Sequence, residues 1–354
     1  MMKRWHGAAC LLLMLGLAAA GCARHNLFSF SLDTPPLILV PASLAGVTDM
    51  RGRFREIYCT IQADHGHTLA DDRPCDRALV RLADEPRGTG MPLETSQRTV
   101  RVVIVPGIFG ECVMRFASPF SDGLAHLREH GYDTEVIHVS GLSDSAHNAR
   151  QIRDAMMSET FRADKRVLLI GYSKGAPDAL EALLRYPELW PRVAALVSVA
   201  GVIAGSPLAD SVPDIYARLI GELKLSACQP GDGGGIESLR RSTRLTALAR
   251  RPLPIAVRYF SVGGIVTAEE TSRLLRRGHR ALDAIDPRND GQLIFTDSII
   301  PGGALLGFVR ADHWAIALPF SRSTPALARV LVEHNAFPRE ILLEAIVRTV
   351  EEAL

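Results

Sequence analysis

The segment 166–185 limits the possible folds more than any other. An apolar run from Arg166 to Ile170 (RVLLI) enters Gly171-Tyr172-Ser173-Lys174-Gly175, and an amphipathic stretch follows at 177–185. A chain passes from strand to helix in so few residues only if the two backbones approach closely. Glycines two places either side of Ser173 permit that approach. The turn lifts the Ser173 hydroxyl out of the sheet and turns the following backbone N–H, that of Lys174, toward the same space. Ser173 is therefore the candidate nucleophile and Lys174 N–H a candidate oxyanion donor. The Lys174 side chain has a plainer expected partner in Asp178, one helical turn on.

The same strand–helix alternation runs from Thr99 onward. Strands are expected at 100–105 (VRVVIV), 134–139 (TEVIHV), 166–170, 193–199 and 254–262, and helices at 121–130, 145–157, 177–185 and 272–285. Alternation of this kind predicts an α/β fold, a mostly parallel sheet flanked by helices. Two closing helices are expected at 324–334, with Thr324 as N-cap before Pro325, and at 339–353. The stretch 206–250 breaks the alternation, carries glycines at 231 and 233–235, and reads as a lid or cap insertion.

The N-terminus reads as an export signal. Lys3 and Arg4 precede an apolar run over 8–20, which is too short to span a bilayer comfortably as a helix of about 20 residues. Ala18-Ala19-Ala20-Gly21-Cys22 resembles a bacterial lipobox, so 1–22 reads as a signal with a lipobox-like end, in which Cys22 becomes the first residue of the mature chain and carries lipid on the periplasmic face of a membrane, the outer one by its flanking residues; a plain signal cut near Ala20 is the alternative. Residues 23–98 read as an N-terminal extension, with short helical patterns at 53–60 and 77–83, and 99–354 as the main domain. Cys59, Cys75, Cys112 and Cys228 remain after export, an even number that suggests disulfides. Cys59 with Cys75, in one short segment, is the expected pair, and Cys112 with Cys228 the remainder. No CxxC supports zinc or redox chemistry, and no metal or organic cofactor is implied. A net charge of +1 gives no electrostatic case for nucleic acid.

Two further pieces of chemistry are needed beside a serine. A second oxyanion donor is expected from the loop after the first strand, at Ile108 or Phe109 in Pro106-Gly107-Ile108-Phe109-Gly110. The base is expected at His313, late in the chain and just after the apolar run 305–309. Most other histidines fall on predicted helices or in the N-terminal segments. The acid must lie between them, at Asp283, Asp286, Asp290 or Asp297. Asp290, in the turn Asn289-Asp290-Gly291, is preferred and Asp297 is its main rival.

Taken together, six motifs in order resemble the bacterial secreted lipases and esterases of the α/β-hydrolase superfamily. They are 103–110 (VIVPGIFG), the 171–175 elbow, 205–210 (GSPLAD), 258–261 (RYFS), Asn289-Asp290-Gly291 and Asp312-His313. The resemblance covers 99–354 and implies the α/β-hydrolase fold. It also implies hydrolysis of a hydrophobic carboxylic ester by Ser173, His313 and Asp290 through an acyl-enzyme. The elbow departs from those lipases at Tyr172 and Lys174, which bears on triglyceride specificity. Acyl transfer to another acceptor, thioester or amide cleavage, and a non-catalytic envelope lipoprotein are the alternatives.

Overall fold

The computed structural model describes residues 46–82, 84–108, 117–162, 164–214, 231–334 and 336–354. Residues 1–22, Cys22, Phe109, Cys112 and Cys228 lie outside them, and with them the expected signal, the lipid site and the second cysteine pair. Among the described residues no helix is long and apolar enough to cross a membrane.

Among the described residues eight strands form one sheet: β1 (Thr48–Asp49), β2 (Leu79–Val80), β3 (Val100–Val105), β4 (Thr134–Val136), β5 (Arg166–Tyr172), β6 (Val193–Val199), β7 (Arg258–Gly264) and β8 (Ala304–Val309). Their order is β1-β8-β7-β6-β5-β3-β4, with β2 also on β8. Every pairing is parallel except β2 with β8. The main helices are α1 (Arg51–His65), α2 (Ser121–Glu129), α3 (Ser145–Met157), α4 (Gly175–Arg185), α5 (Arg241–Arg250), α6 (Arg276–Asp283) and α7 (Arg339–Ala353).

The central strands are largely apolar because both faces of the sheet are covered there. Successive side chains point to opposite faces. Val102, Ile104, Leu168 and Ile170 pack with residues of α1, α2 and α7, such as Phe54, Leu124 and Ile341. Their neighbours Val103, Val105 and Leu169 pack with Ile152 of α3 and Leu180 of α4. Asp144 starts α3 by accepting the His147 N–H at 2.6 Å.

Several elements differ from the sequence expectation. β4 stops at Val136 and leaves His138 exposed outside it. β7 begins at Arg258, since Pro254 to Val257 form a turn. The expected helix at 272–285 is a 3-10 turn, Arg273–Leu275, followed by α6. The expected helix at 324–334 spans only Pro325–Leu331, and Thr324 does not cap it. Its hydroxyl faces the Phe320 carbonyl at 3.5 Å instead.

The largest difference concerns the N-terminal extension. Its described part, 46–98, is built into the same sheet and core. β1 and β2 both pair with β8, and Phe54, Ile57 and Tyr58 of α1 are core residues. Arg53 reaches Glu352 at 2.7 Å, and Asp71 accepts Arg322 at 2.6 Å. The disulfide joins Cys59 on α1 to Cys75, 16 residues on. Closing a loop of that length removes about 3 kcal/mol of unfolded-chain entropy.

Candidate active site

Ser173 follows the last residue of β5 and adopts φ 53°, the left-handed region. The cost of that conformation for a residue with a Cβ is accepted where surrounding contacts over-determine it. Here the two motif glycines supply the fit. A Cβ on Gly171 would lie 2.3 Å from Ala176 Cα, and one on Gly175 would lie 2.0 Å from the Val105 carbonyl oxygen. The chain reverses its direction across the sheet at β3, so the crevice lies between the carboxyl ends of β3 and β5. Gly107, after β3, reaches this crevice, and a Cβ there would stand 2.7 Å from that of Ser173.

Two other loops converge on the same edge. His313 follows β8, and its Nε2 lies 2.9 Å from Ser173 Oγ. Asp290 sits between α6 and β8, and its Oδ2 lies 2.8 Å from His313 Nδ1. The carboxylate can only accept, so Nδ1 carries the proton and Nε2 presents a lone pair to the serine hydroxyl. Asp290 Oδ1 accepts the Gln292 and Leu293 N–H groups at 2.8 and 2.7 Å, so both oxygens are engaged. All three side chains are buried. The rival acids are engaged elsewhere. Asp297 grips Arg241 at 2.6 Å, with its carboxyl pushed up to about 6 by burial against the pull of that arginine. Asp286 pairs with Arg288, and Asp283 accepts from Asn289 at 3.0 Å.

The motif's lysine points away from this chemistry. Lys174 Nζ lies 2.9 and 2.8 Å from the two oxygens of Asp178, which also accepts Asn148 Nδ2 at 2.7 Å. Lys174, Asp178 and Asn148 are fully buried, so the i,i+4 pair is an internal clamp under the turn. Its backbone N–H opens α4, where the first amides of a helix have no carbonyl partner within it. Lys174→Met would leave a buried carboxylate without its counter-charge. A loss of about 3–5 kcal/mol in urea unfolding is expected, and the double variant Lys174→Met, Asp178→Leu should recover part of it. A single variant as stable as wild type would contradict the clamp.

Sequence reasoning missed two residues that hold His313 in place. Tyr172 OH donates to the His313 carbonyl at 2.6 Å, and its ring lies 5.4 Å from the imidazole. Burial pushes its phenol well above its usual pKa, so it remains a donor. Asp312 accepts N–H groups of Ser272, Trp314 and Ala315 at 2.6, 3.0 and 2.7 Å, fixing the turn after His313. Its carboxyl is raised by burial. Asp312 was readable as a turn residue bonding the backbone two and three places on, whereas the partner of Tyr172 lies 141 residues away. Tyr172→Phe should cost about 1 kcal/mol of stability and lower kcat with little change in KM. A rise in KM alone would assign Tyr172 to substrate binding instead.

The hydroxyl opens onto a cavity of about 330 Å³. Ile108, Leu208, Ile236, Leu293, Trp314 and Phe320 line it, with Ser206 and Gln292 among few polar groups. Ser206, Leu208 and Ile236 come from the expected lid region, 206–250, so part of that region does border the cavity.

A mostly parallel sheet with this strand order and a serine on a strained strand–helix turn defines the α/β-hydrolase class. The metagenomic carboxyl esterase MGS0156 shares 44% identity with the chain, with a TM-score of 0.85, over 91% of this chain and 97% of that one. The chain belongs to that carboxyl esterase family and is a carboxylic ester hydrolase. The mature Bacillus licheniformis lipase BlEst2 shares the fold at 21% identity and TM-score 0.50, over 69% of this chain and 96% of that one. Its propeptide form gives 20% and 0.51, over 68% and 52%. No family model matches the chain, and no curated protein does.

Proposed function

We propose that the chain cleaves carboxylic esters with an apolar acyl or alcohol part, with Ser173 as nucleophile, His313 as base and Asp290 as the acid that orients it. The observation that carries this reading is the hydrogen-bonded series from Ser173 Oγ through both nitrogens of His313 to Asp290, at 2.9 and 2.8 Å, opening onto an apolar cavity. His313 Nε2 takes the hydroxyl proton as Oγ attacks the ester carbonyl. Asp290 stabilises the imidazolium that results. The Lys174 N–H and a donor from the loop at Ile108 or Phe109 hold the oxyanion, each worth roughly 2.7–4 kcal/mol. Imidazolium then protonates the leaving alcohol, and water enters to release the acid from the acyl-enzyme by the same steps in reverse.

The lid reading for 206–250 belongs to this proposal, supported by the cavity-lining residues from 206–212 and 236. Export and membrane attachment through Cys22 also belong to it and rest on the sequence of 1–22 alone.

A fluorophosphonate probe tests the nucleophile directly. One adduct per chain is expected, on the peptide that carries Ser173, with loss of ester hydrolysis in step with labelling. Full inactivation with the adduct on another residue would overturn the assignment.

A further inference from the structure

On the sheet face covered by α1, α2 and α7, three imidazoles and a carboxylate gather among residues that do not line the active-site cavity. His65 is the last residue of α1, His126 lies in α2, His130 follows α2, and Glu344 sits on α7. The imidazole centroids lie 6.0 Å apart for His65 and His126, 5.1 Å for His65 and His130, and 4.2 Å for His126 and His130. One ligand atom each from His65, His130 and Glu344 lies within 4.8 Å of the others. We propose that these three residues bind a divalent transition-metal ion of the zinc type, with His126 as the partner that orients Glu344.

The hydrogen bonds support this division of roles. His130 Nδ1 lies 2.8 Å from the His126 carbonyl oxygen. A carbonyl only accepts, so Nδ1 carries the proton and Nε2 keeps its lone pair for a metal. A metal-ligating histidine is commonly oriented by such a bond. His126 Nε2 donates to Glu344 Oε2 at 2.6 Å, which fixes the orientation of the carboxylate. Glu344 is buried. Arg348 is the other charged group facing it, at 3.8 Å from Oε1.

Two imidazole nitrogens and one carboxylate oxygen are a zinc donor set that leaves a fourth position for water. Bonds of about 2.0–2.1 Å in a tetrahedron require donors roughly 3.3 Å apart, so the side chains would close by about 1–1.5 Å on binding. His65 and His130 are only half-buried. The ion would tie α1 to α2 and α7, joining the N-terminal part of the chain to the main body. Metal binding to a folded site adds directly to folding stability.

The test uses the full chain without a histidine tag, stripped with a chelator and dialysed, and titrated with zinc chloride by calorimetry. One zinc per chain is expected, with a Tm that rises with zinc concentration. His65→Ala and His130→Ala should each abolish tight binding and the zinc-dependent rise in Tm. His126→Gln should weaken binding by about 10–100-fold. Metal-free Tm values and esterase activity serve as controls for folding, and both should stay near wild type in His65→Ala. An absence of saturable binding would overturn the site. So would binding that survives both His65→Ala and His130→Ala, which would place the ion elsewhere, for instance at His313.

Discussion

Ser173→Ala is expected to lower kcat for ester hydrolysis by about a millionfold and to leave KM nearly unchanged. The hydroxyl is the attacking atom in the proposed mechanism, and the cavity that binds substrate is otherwise intact. The variant should also reveal the cost of the turn. Alanine keeps the Cβ at φ 53°, whereas glycine does not. Ser173→Gly should therefore be equally inactive but about 1 kcal/mol more stable than Ser173→Ala in urea unfolding. An alanine variant with wild-type turnover would sink the mechanism, and a glycine variant less stable than alanine would remove the strain argument.

Asp290→Asn is expected to reduce kcat by about 10,000-fold. The reason lies in the number of acceptors. Asp290 uses Oδ2 for His313 and Oδ1 for two backbone N–H groups. An asparagine has one oxygen. If that oxygen stays with the backbone amides, the NH2 group faces Nδ1 and forces the imidazole proton onto Nε2. The base then has no lone pair for the serine hydroxyl. Asp297→Asn is the control, because Asp297 is held by Arg241 rather than by the imidazole. Its kcat should stay within the wild-type order of magnitude, even if stability falls. The reverse outcome, an active Asp290→Asn beside an inactive Asp297→Asn, would make Asp297 the acid.

The order of strands and helices from 99 onward was legible because it is written in local periodicity. Strands such as VRVVIV and RVLLI are buried on both faces, and glycines and prolines punctuate them. The residues Ser173, Asp290 and His313 stood out for their types and their turns, but their approach is set by packing across 140 residues of chain. What escaped notice was short or distant. β1 and β2 have two residues each, too few for an alternation to register, and they pair with a strand more than 200 residues later. The clamp of Lys174 and Asp178 was visible as a helical spacing, whereas its complete burial was not. The ring of Tyr172 stood in the motif itself, yet nothing nearby in sequence marked the carbonyl it holds.

The pairing of β1 and β2 with β8 bears on how the sheet avoids joining others. β8 leads into the imidazole loop, and without 46–98 it would be the rim of the sheet, with a row of bare amides and carbonyls on an apolar strand, ALLGFV. Such a rim recruits other chains into the sheet. Two dipeptides of opposite polarity share the shielding, one at each end of the strand. Trimming the chain to its hydrolase-like portion would therefore leave a sticky catalyst, and the loop that carries His313 would hang from an unguarded margin.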